Sequence, residues 1–178
     1  MKSLGIGLIG TGYMGKCHAL AWNRVLPVFG EVPRPRLVHL AEANPDLATQ
    51  RAAEFGFEQA TGDWRELIAN PDVDVVSITT PNAFHAEMAI AALEAGKPVW
   101  CEKPMSPALA DAERMADAAK AHGKTTFMVY NYIQTPLLRP ISKLLATTTL
   151  GTCTHASVQV DADLIAAPNP PVSCTDGA

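Results

Sequence analysis

The chain has 178 residues, of which 48% are hydrophobic and 18% charged, and this composition fits one globular domain with a real core. Its net charge of -4, without any basic run, argues against a nucleic-acid partner, and no stretch approaches the roughly 20 apolar residues of a membrane helix. Four scattered cysteines form no CxxC pair, so we predict neither a zinc site nor a disulfide framework, and we expect a cytoplasmic protein.

Six apolar runs of strand length alternate with helix-like segments, which is typical of parallel strands joined by crossover helices. The first, second and fourth runs are rich in Ile, Leu and Val, as expected of strands that are covered on both faces. The sequence therefore predicts an α/β fold with a doubly wound parallel sheet, the Rossmann fold. The six predicted strands are Leu4–Ile9, Leu37–Ala43, a weak one at Phe55–Phe57, Val73–Thr79, Pro98–Cys101 and Thr126–Tyr130.

Several helix boundaries are marked by capping residues. The segment that starts at Asn44 opens one helix, Asp63 precedes another, and Gly96 and Gly123 close two more. Residues 108–122 have the spacing of an amphipathic helix that covers the sheet. The apolar positions of that helix are Leu109, Met115 and Ala119.

A glycine motif with GxGxxG spacing directly follows the first predicted strand and opens a helix. In this context the first glycine permits a tight turn, the second admits a pyrophosphate and the third allows close packing of helix and strand. The helix start then offers N–H groups to the anion. The alternative is a glycine-rich turn without a ligand. The motif consists of Gly10, Thr11, Gly12, Tyr13, Met14 and Gly15, and Tyr13 and Met14 are interpreted as core or cofactor-lining residues.

An acidic residue, Glu42, ends the second predicted strand, 27 residues after Gly15. This spacing is long for a dinucleotide-binding unit, and we attribute it to a surface loop at residues 25–36, which contains three prolines and a glycine. A carboxylate here accepts hydrogen bonds from the adenosine ribose and repels a 2'-phosphate, which favours NAD over NADP. The alternative is a solvated glutamate at a strand end.

Two further motifs stand at the carboxyl ends of predicted strands: Thr79–Asn82 with His85, and Glu102-Lys103-Pro104. Together with the glycine motif they resemble the glucose-fructose oxidoreductase, inositol dehydrogenase and rhizopine-catabolism family over residues 4 to about 160. The resemblance implies an NAD-dependent dehydrogenase that acts on a sugar or polyol hydroxyl.

By that resemblance, Lys103 lies beside the nicotinamide and hydrogen-bonds the substrate hydroxyl that is oxidised, while Glu102 and Pro104 fix its loop. A positioned cation suits this reaction because the hydroxyl proton must leave with the hydride. The alternative without a ligand is a surface lysine for Lys103 and, for His85, a residue that caps the turn at a helix start. Cys17 and Cys101 are interpreted as packing residues. The further positions that the resemblance places along the cofactor are Thr80, Pro81, Asn82, His85 and Glu102.

The predicted domains are a dinucleotide-binding domain at 1–132 and a connecting helix with the start of a substrate domain at 133–178. A helix is expected at Pro136–Leu145 and a first strand at Thr154–Val160, followed by a disordered tail. The resemblance breaks off there, and in relatives the substrate domain supplies further catalytic residues and the contacts that make homo-oligomers. We therefore expect cofactor binding without efficient turnover. A regulatory NAD(H)-binding module and a structural partner chain remain alternative functions.

Overall fold

The computed structural model describes residues 3–130, 133, 135–147, 151, 152, 154, 155 and 157. It divides into one compact unit that ends at Val129 and a second one that begins at Tyr130. Among the described residues, no helix has both the length and the apolar character needed to span a membrane.

The first unit alternates six strands with five helices. The strands are β1 (Ser3–Ile9), β2 (Arg34–Ala41), β3 (Gln59–Thr61), β4 (Val75–Ile78), β5 (Val99–Glu102) and β6 (Thr126–Val129). The helices are α1 (Tyr13–Phe29), α2 (Pro45–Phe55), α3 (Trp64–Ala69), α4 (His85–Glu94), which follows a 3-10 turn at Asn82–Phe84, and α5 (Leu109–His122).

The strands form one sheet in the order β3-β2-β1-β4-β5-β6, and every described pair is parallel. The chain leaves β1 towards one edge and returns at β4 towards the other, so the strand order reverses between β1 and β4. One buried cluster packs around β1, β2, α1 and α2, and a second one lies around β4, β5, α4 and α5. The predicted doubly wound parallel sheet is confirmed.

The capping signals locate the helices well. The Asn44 side chain accepts hydrogen bonds from two N–H groups in the first turn of α2, and Asp63 accepts one at the start of α3. Gly123 closes α5 in the left-handed conformation, and Gly96, with a φ of 76°, follows α4. In α5, Met115 is buried as predicted. Leu109 is 76% exposed, so the prediction that Leu109 lies on the packed face is wrong.

The predicted loop at residues 25–36 is wrong except at residues 30–33, because α1 continues to Phe29 and β2 begins at Arg34. Pro27 lies inside the last turn of α1 and removes one N–H donor there, while Gly30 then ends the helix with a φ of 70°. The late position of Glu42 therefore results from a long first helix and only a short loop.

The predicted third strand at Phe55–Phe57 is also wrong. Phe55 ends α2, Gly56 caps it in the left-handed conformation, and Phe57 packs in the core. The two phenylalanines are apolar because they fill the core below the helix end. The actual strand, β3, pairs with β2 through three residues whose side chains are mostly exposed.

The second unit contains α6 (Leu138–Ala146), which confirms the helix expected at Pro136–Leu145. Thr154, His155 and Ser157 are the described residues of the predicted strand at 154–160, and none of them is in a strand. The other residues of that strand, the predicted tail, Cys153 and Cys174 lie outside the described residues. The predicted domain boundary at residue 132 stays a prediction.

Candidate functional site

The glycine loop follows β1 and turns directly into α1. Gly10 has a φ of 92°, a left-handed conformation that favours glycine, and its N–H donates to the Ala41 carbonyl oxygen at 2.9 Å. A Cβ on Gly15 would lie 2.4 Å from the Gly10 carbonyl oxygen, so only glycine allows this approach of helix and loop. A Cβ on Gly12 would meet no atom within 4 Å. The second glycine of the motif therefore borders open space.

The amino end of α1 differs from those of α2 and α3. Asn44 and Asp63 cap the two later helices with their side chains. Within the described residues, no side chain caps the start of α1, and its first turn contains no acidic residue. The start of α1 consequently presents N–H groups and the positive end of the helix dipole beside Gly12, which suits an anion.

Glu42 directly follows β2 and its carboxylate lies against the glycine loop. Oε2 of Glu42 accepts hydrogen bonds from the Thr11 N–H at 3.2 Å and from the Thr11 hydroxyl at 2.6 Å. Thr11 is buried, whereas Glu42 is half-buried. The carboxylate predicted to bind ribose is thus held next to the loop predicted to bind the pyrophosphate, and Thr11 orients it.

The segment after β4 packs on the same loop. The buried Thr79 hydroxyl donates to the Gly10 carbonyl oxygen at 2.9 Å, and a Cβ on Gly10 would lie 3.0 Å from the Thr79 carbonyl. Thr80 and Asn82 are half-buried and Pro81 is exposed. These three residues therefore border the glycine loop with part of their surface free for a ligand.

His85 begins α4 and is only 1% exposed. Its Nε2 lies 2.9 Å from the Thr80 carbonyl oxygen, and its Nδ1 lies 2.9 Å from the Pro104 carbonyl oxygen. A carbonyl oxygen can only accept, so both contacts are hydrogen bonds when each ring nitrogen carries a proton. The ring has almost no surface for a ligand, and we replace its predicted cofactor contact with a role in joining two loops.

β5 ends at Glu102, and the loop that follows presents Lys103. Glu102 is 3% exposed, and its Oε2 accepts the Lys103 N–H at 3.1 Å. The peptide bond between Lys103 and Pro104 is cis. Lys103 itself is exposed. The loop thus holds its acidic residue inside the protein and its cation at the surface, so Glu102 is placed to fix the loop.

A buried polar chain that the sequence analysis missed leads from β4 through α1 to β5. The Ser77 hydroxyl donates to Nδ1 of His18 at 2.7 Å, and Nε2–H of His18 donates to Oε1 of Glu102 at 3.0 Å. Burial lowers the pKa of His18, and the hydrogen bond to Glu102 opposes this effect only in part. A neutral ring with one donor and one acceptor fits both contacts.

A sequence signal for this chain existed. Ser77 is a polar residue within an otherwise apolar, buried strand. His18 follows Gly15 by three residues and lies on the buried face of α1. His18 and Glu102 are 84 residues apart in the sequence, so local patterns do not reveal their contact.

Two cysteines, Tyr13 and Met14 lie in or next to the motifs in the sequence, and their exposure differs. Cys101 is 1% exposed, and burial raises the pKa of its thiol to about 12, so it packs in the core and is not a nucleophile at neutral pH. Cys17 is half-buried on α1. Tyr13 is 82% exposed, which excludes a core role for it and leaves the predicted cofactor-lining role, and Met14 is half-buried.

All three motifs lie at the carboxyl edge of the sheet, where the strand order reverses between β1 and β4. Open α/β sheets bind ligands at this point. The open space at Gly12, the uncapped start of α1 and the Glu42 carboxylate fit the pyrophosphate and ribose of a dinucleotide. Fold and site together define a dinucleotide-binding Rossmann domain.

Comparison with known proteins identifies the family. Residues 4–131 match GFO_IDH_MocA, the oxidoreductase family with an NAD-binding Rossmann fold, and the chain belongs to this family. It is 41% identical over 174 residues to levoglucosan dehydrogenase from Pseudarthrobacter phenanthrenivorans, a match that covers 97% of this chain and 45% of that protein. It is 38% identical over 128 residues to inositol 2-dehydrogenase from Gluconacetobacter diazotrophicus, covering 71% of this chain and 36% of that protein.

Solved structures share the fold. An NAD binding oxidoreductase from Klebsiella pneumoniae matches with a TM-score of 0.79 and 43% identity, over 84% of this chain and 40% of that one. Levoglucosan dehydrogenase in complex with NADH and L-sorbose matches with a TM-score of 0.80 and 43% identity, over 85% and 41%. The predicted family is confirmed, and the chain spans less than half the length of these relatives.

Proposed function

We propose that the chain carries the cofactor-binding domain of an NAD-dependent dehydrogenase that oxidises a hydroxyl of a sugar or polyol. The observation that carries the proposal is the exposed Lys103 on the same sheet edge as the open space at Gly12 and the Glu42 carboxylate. The names of two relatives, levoglucosan dehydrogenase and inositol 2-dehydrogenase, support a cyclic polyhydroxy substrate.

Binding of the dinucleotide rests on the glycine loop and Glu42. NAD⁺, when bound, supplies the acceptor for a hydride from an alcohol carbon. The N–H groups at the start of α1 receive the pyrophosphate, and the missing side chain of Gly12 lets it approach the backbone. The Glu42 carboxylate, held by Thr11, accepts hydrogen bonds from the adenosine ribose and repels the 2'-phosphate of NADP.

Lys103 is the proposed catalytic residue. A hydroxyl that loses a hydride from its carbon must also lose its proton, and a nearby ammonium group stabilises the alkoxide character that develops on the oxygen. The Lys103 side chain is exposed while the neighbouring Glu102 is buried and bonded to the Lys103 N–H, so the loop presents the cation outward from a fixed base.

Substrate selection is proposed to lie mainly outside the matched region. The relatives are more than twice as long as the segment that they share with this chain. We therefore expect these 178 residues to bind NAD(H) without efficient turnover of a sugar or polyol.

Calorimetric titration with NADH and with NADPH tests the cofactor assignment. We expect saturable binding with a preference for NADH. Gly12→Trp should abolish binding because the side chain fills the space at the start of α1. Glu42→Gln should weaken NADH binding by about ten-fold, since a hydrogen bond to a charged group is lost, and should narrow the preference over NADPH.

The matched control is Glu58→Gln, since Glu58 is an exposed glutamate that pairs with Arg36 away from the glycine loop. Its NADH affinity should equal that of the unmodified chain. A folded chain that binds neither nucleotide would refute the cofactor assignment, and a preference for NADPH would refute the role of Glu42.

A further inference from the structure

The two residues that flank Lys103 are each bonded to a buried histidine. Glu102, on one side, is bonded to His18, and the carbonyl of Pro104, on the other side, is bonded to His85. Both histidines are nearly inaccessible, at 7% and 1% exposure. The exposed lysine thus stands between two neighbours that contact nearly buried rings.

The first anchor connects the loop to the glycine helix. His18 lies on α1, five residues after its start, and donates to Oε1 of Glu102 at 3.0 Å, while Oε2 of the same carboxylate accepts the Lys103 N–H at 3.1 Å. The Ser77 hydroxyl and a T-shaped contact with the Trp100 ring fix the orientation of the His18 ring. A displacement of His18 would therefore be transmitted through one carboxylate to the backbone of Lys103.

The second anchor connects the loop to the segment after β4. One ring nitrogen of His85 lies 2.9 Å from the Thr80 carbonyl oxygen and the other lies 2.9 Å from the Pro104 carbonyl oxygen, so a ring with both nitrogens protonated bonds to both. Thr80 directly follows Thr79, whose hydroxyl is bonded to the glycine loop. The buried side chains of Thr79 and His85 consequently connect the three motifs at the carboxyl edge. Thr79 contacts the glycine loop, and His85 lies between Thr80 and the loop of Lys103.

We propose that His18 and His85 are positioning residues that set the place of the Lys103 ammonium group relative to the bound nicotinamide. The inference rests on the proposed function, because it assigns the two rings to the placement of the catalytic cation. Because both rings are nearly buried, we expect neither to contact the cofactor or the substrate. Their loss is expected to move Lys103 while the pyrophosphate and ribose contacts at Gly12 and Glu42 persist.

The ratio of the dissociation constants for NAD⁺ and NADH measures that placement. The oxidised nicotinamide ring carries a positive charge and the reduced ring does not, so a nearby ammonium group weakens the binding of NAD⁺ alone. Lys103→Met should lower the ratio Kd(NAD⁺)/Kd(NADH) by about ten-fold. A purely structural role of the histidines would change both constants together and leave the ratio unchanged.

The variants are His18→Leu and His85→Leu, titrated with both nucleotides. We expect each to lower the ratio towards the Lys103→Met value, with little change in Kd for NADH. His18→Gln, which keeps an N–H donor for Glu102, should recover part of the original ratio. The matched control is His39→Leu, since His39 is equally buried at 7% exposure but bonds to Asn70 and not to the loop.

Two additional measurements keep the inference open to refutation. If His18→Leu does not fold, Ser77→Ala removes the hydroxyl that orients the same ring and should lower the ratio to a smaller extent. Amide hydrogen exchange of Lys103 in the chain without nucleotide should be about ten-fold faster in the histidine variants than in His39→Leu, whether or not NADH binds.

The outcomes separate the inference from the proposed function. Absence of NADH binding by the folded chain overturns the function, and the Lys103 exchange rate then decides whether the anchors exist. A ratio that falls in Lys103→Met but not in the histidine variants overturns the inference alone. A ratio unchanged in Lys103→Met itself overturns both the role of that lysine and the inference.

Discussion

Polar groups are bonded differently at the amino edge of the sheet, where the strands begin, and at the carboxyl edge, where they end. At the amino edge, Lys97 donates through Nζ to the carbonyl oxygens of Asn70 and Val73, and the Asp74 carboxylate accepts the Gly5 N–H. Desolvation lowers the pKa of Lys97, and the nearby Asp74 opposes that shift. Each of these groups is bonded to the backbone of its own edge, so the network holds the fold.

At the carboxyl edge, buried side chains are hydrogen-bonded to loops whose neighbouring residues are exposed to solvent. Thr11, Glu102 and His85 are buried and bonded, whereas Gly12 and Lys103 beside them are exposed. The comparison teaches that a network of bonded polar groups does not by itself mark a site. The site is marked where a buried network supports exposed neighbours. Substitutions at the amino edge should therefore change stability only, and those at the carboxyl edge should separate stability from binding.

The largest effects are expected at the glycines. A Cβ on Gly5, at the amino edge, would lie 1.8 Å from the Asp72 carbonyl oxygen, and one on Gly15 would lie 2.4 Å from that of Gly10. Gly5→Ala and Gly15→Ala should each lower the free energy of unfolding by about 3 kcal/mol or more in urea titrations. Gly12→Ala, which meets no atom within 4 Å, should cost less than about 1 kcal/mol.

The same three variants, titrated with NADH, test the comparison of the edges. Where Gly5→Ala remains folded, its affinity for NADH should be unchanged, whereas Gly15→Ala should bind more weakly because the glycine loop must shift. Equal loss of NADH affinity in Gly5→Ala and Gly15→Ala would contradict the prediction that the amino edge affects stability alone while the carboxyl edge also affects binding.

A smaller effect is expected for the two lysines. Lys97→Met leaves the carbonyl oxygens of Asn70 and Val73 without their donor and should lower the free energy of unfolding by about 1–3 kcal/mol, with NADH affinity unchanged. Lys103→Met, at an exposed position whose backbone N–H makes the bond to Glu102, should change stability by less than about 0.5 kcal/mol. Urea midpoints and NADH titrations of both variants check this difference between the two lysines. A Lys97→Met protein as stable as the unmodified chain would contradict it.

Much of the fold could be predicted from local patterns. Buried parallel strands are continuous apolar runs, and side-chain caps such as Asn44 mark helix starts, because both features depend on neighbouring residues. The glycine motif and Glu42 were predictable for the same reason, as each stands directly after a strand. The errors arose where a local signal had another cause, as for Pro27 in the last turn of α1 and for Phe55 and Phe57 in the core.

The supporting network of the site could not be predicted in this way. His18 and Glu102 are 84 residues apart, and His85 reaches Pro104 across 19 residues, so both contacts exist only once the strands have been placed in order. The exposed Lys103 was found because it belongs to a short motif. Sequence patterns therefore locate the exposed residues of the candidate site better than the buried residues that hold them.

The smallest expected effect is a pH dependence of stability to which His18 and His39 both contribute. Burial lowers the pKa of each ring from its usual value of 6.5. The hydrogen bond to Glu102 opposes this shift for His18, and the charge of Glu66 opposes it for His39. The unfolded chain then binds more protons than the folded one near and below pH 6.5, so the free energy of unfolding should fall as the pH falls from about 7.5 to 5.5. His18→Gln and His39→Gln should each flatten this decline when urea midpoints are compared at the two pH values. An unchanged decline in His18→Gln, or a stability that rises as the pH falls, would show that the ring is not held neutral between Ser77 and Glu102.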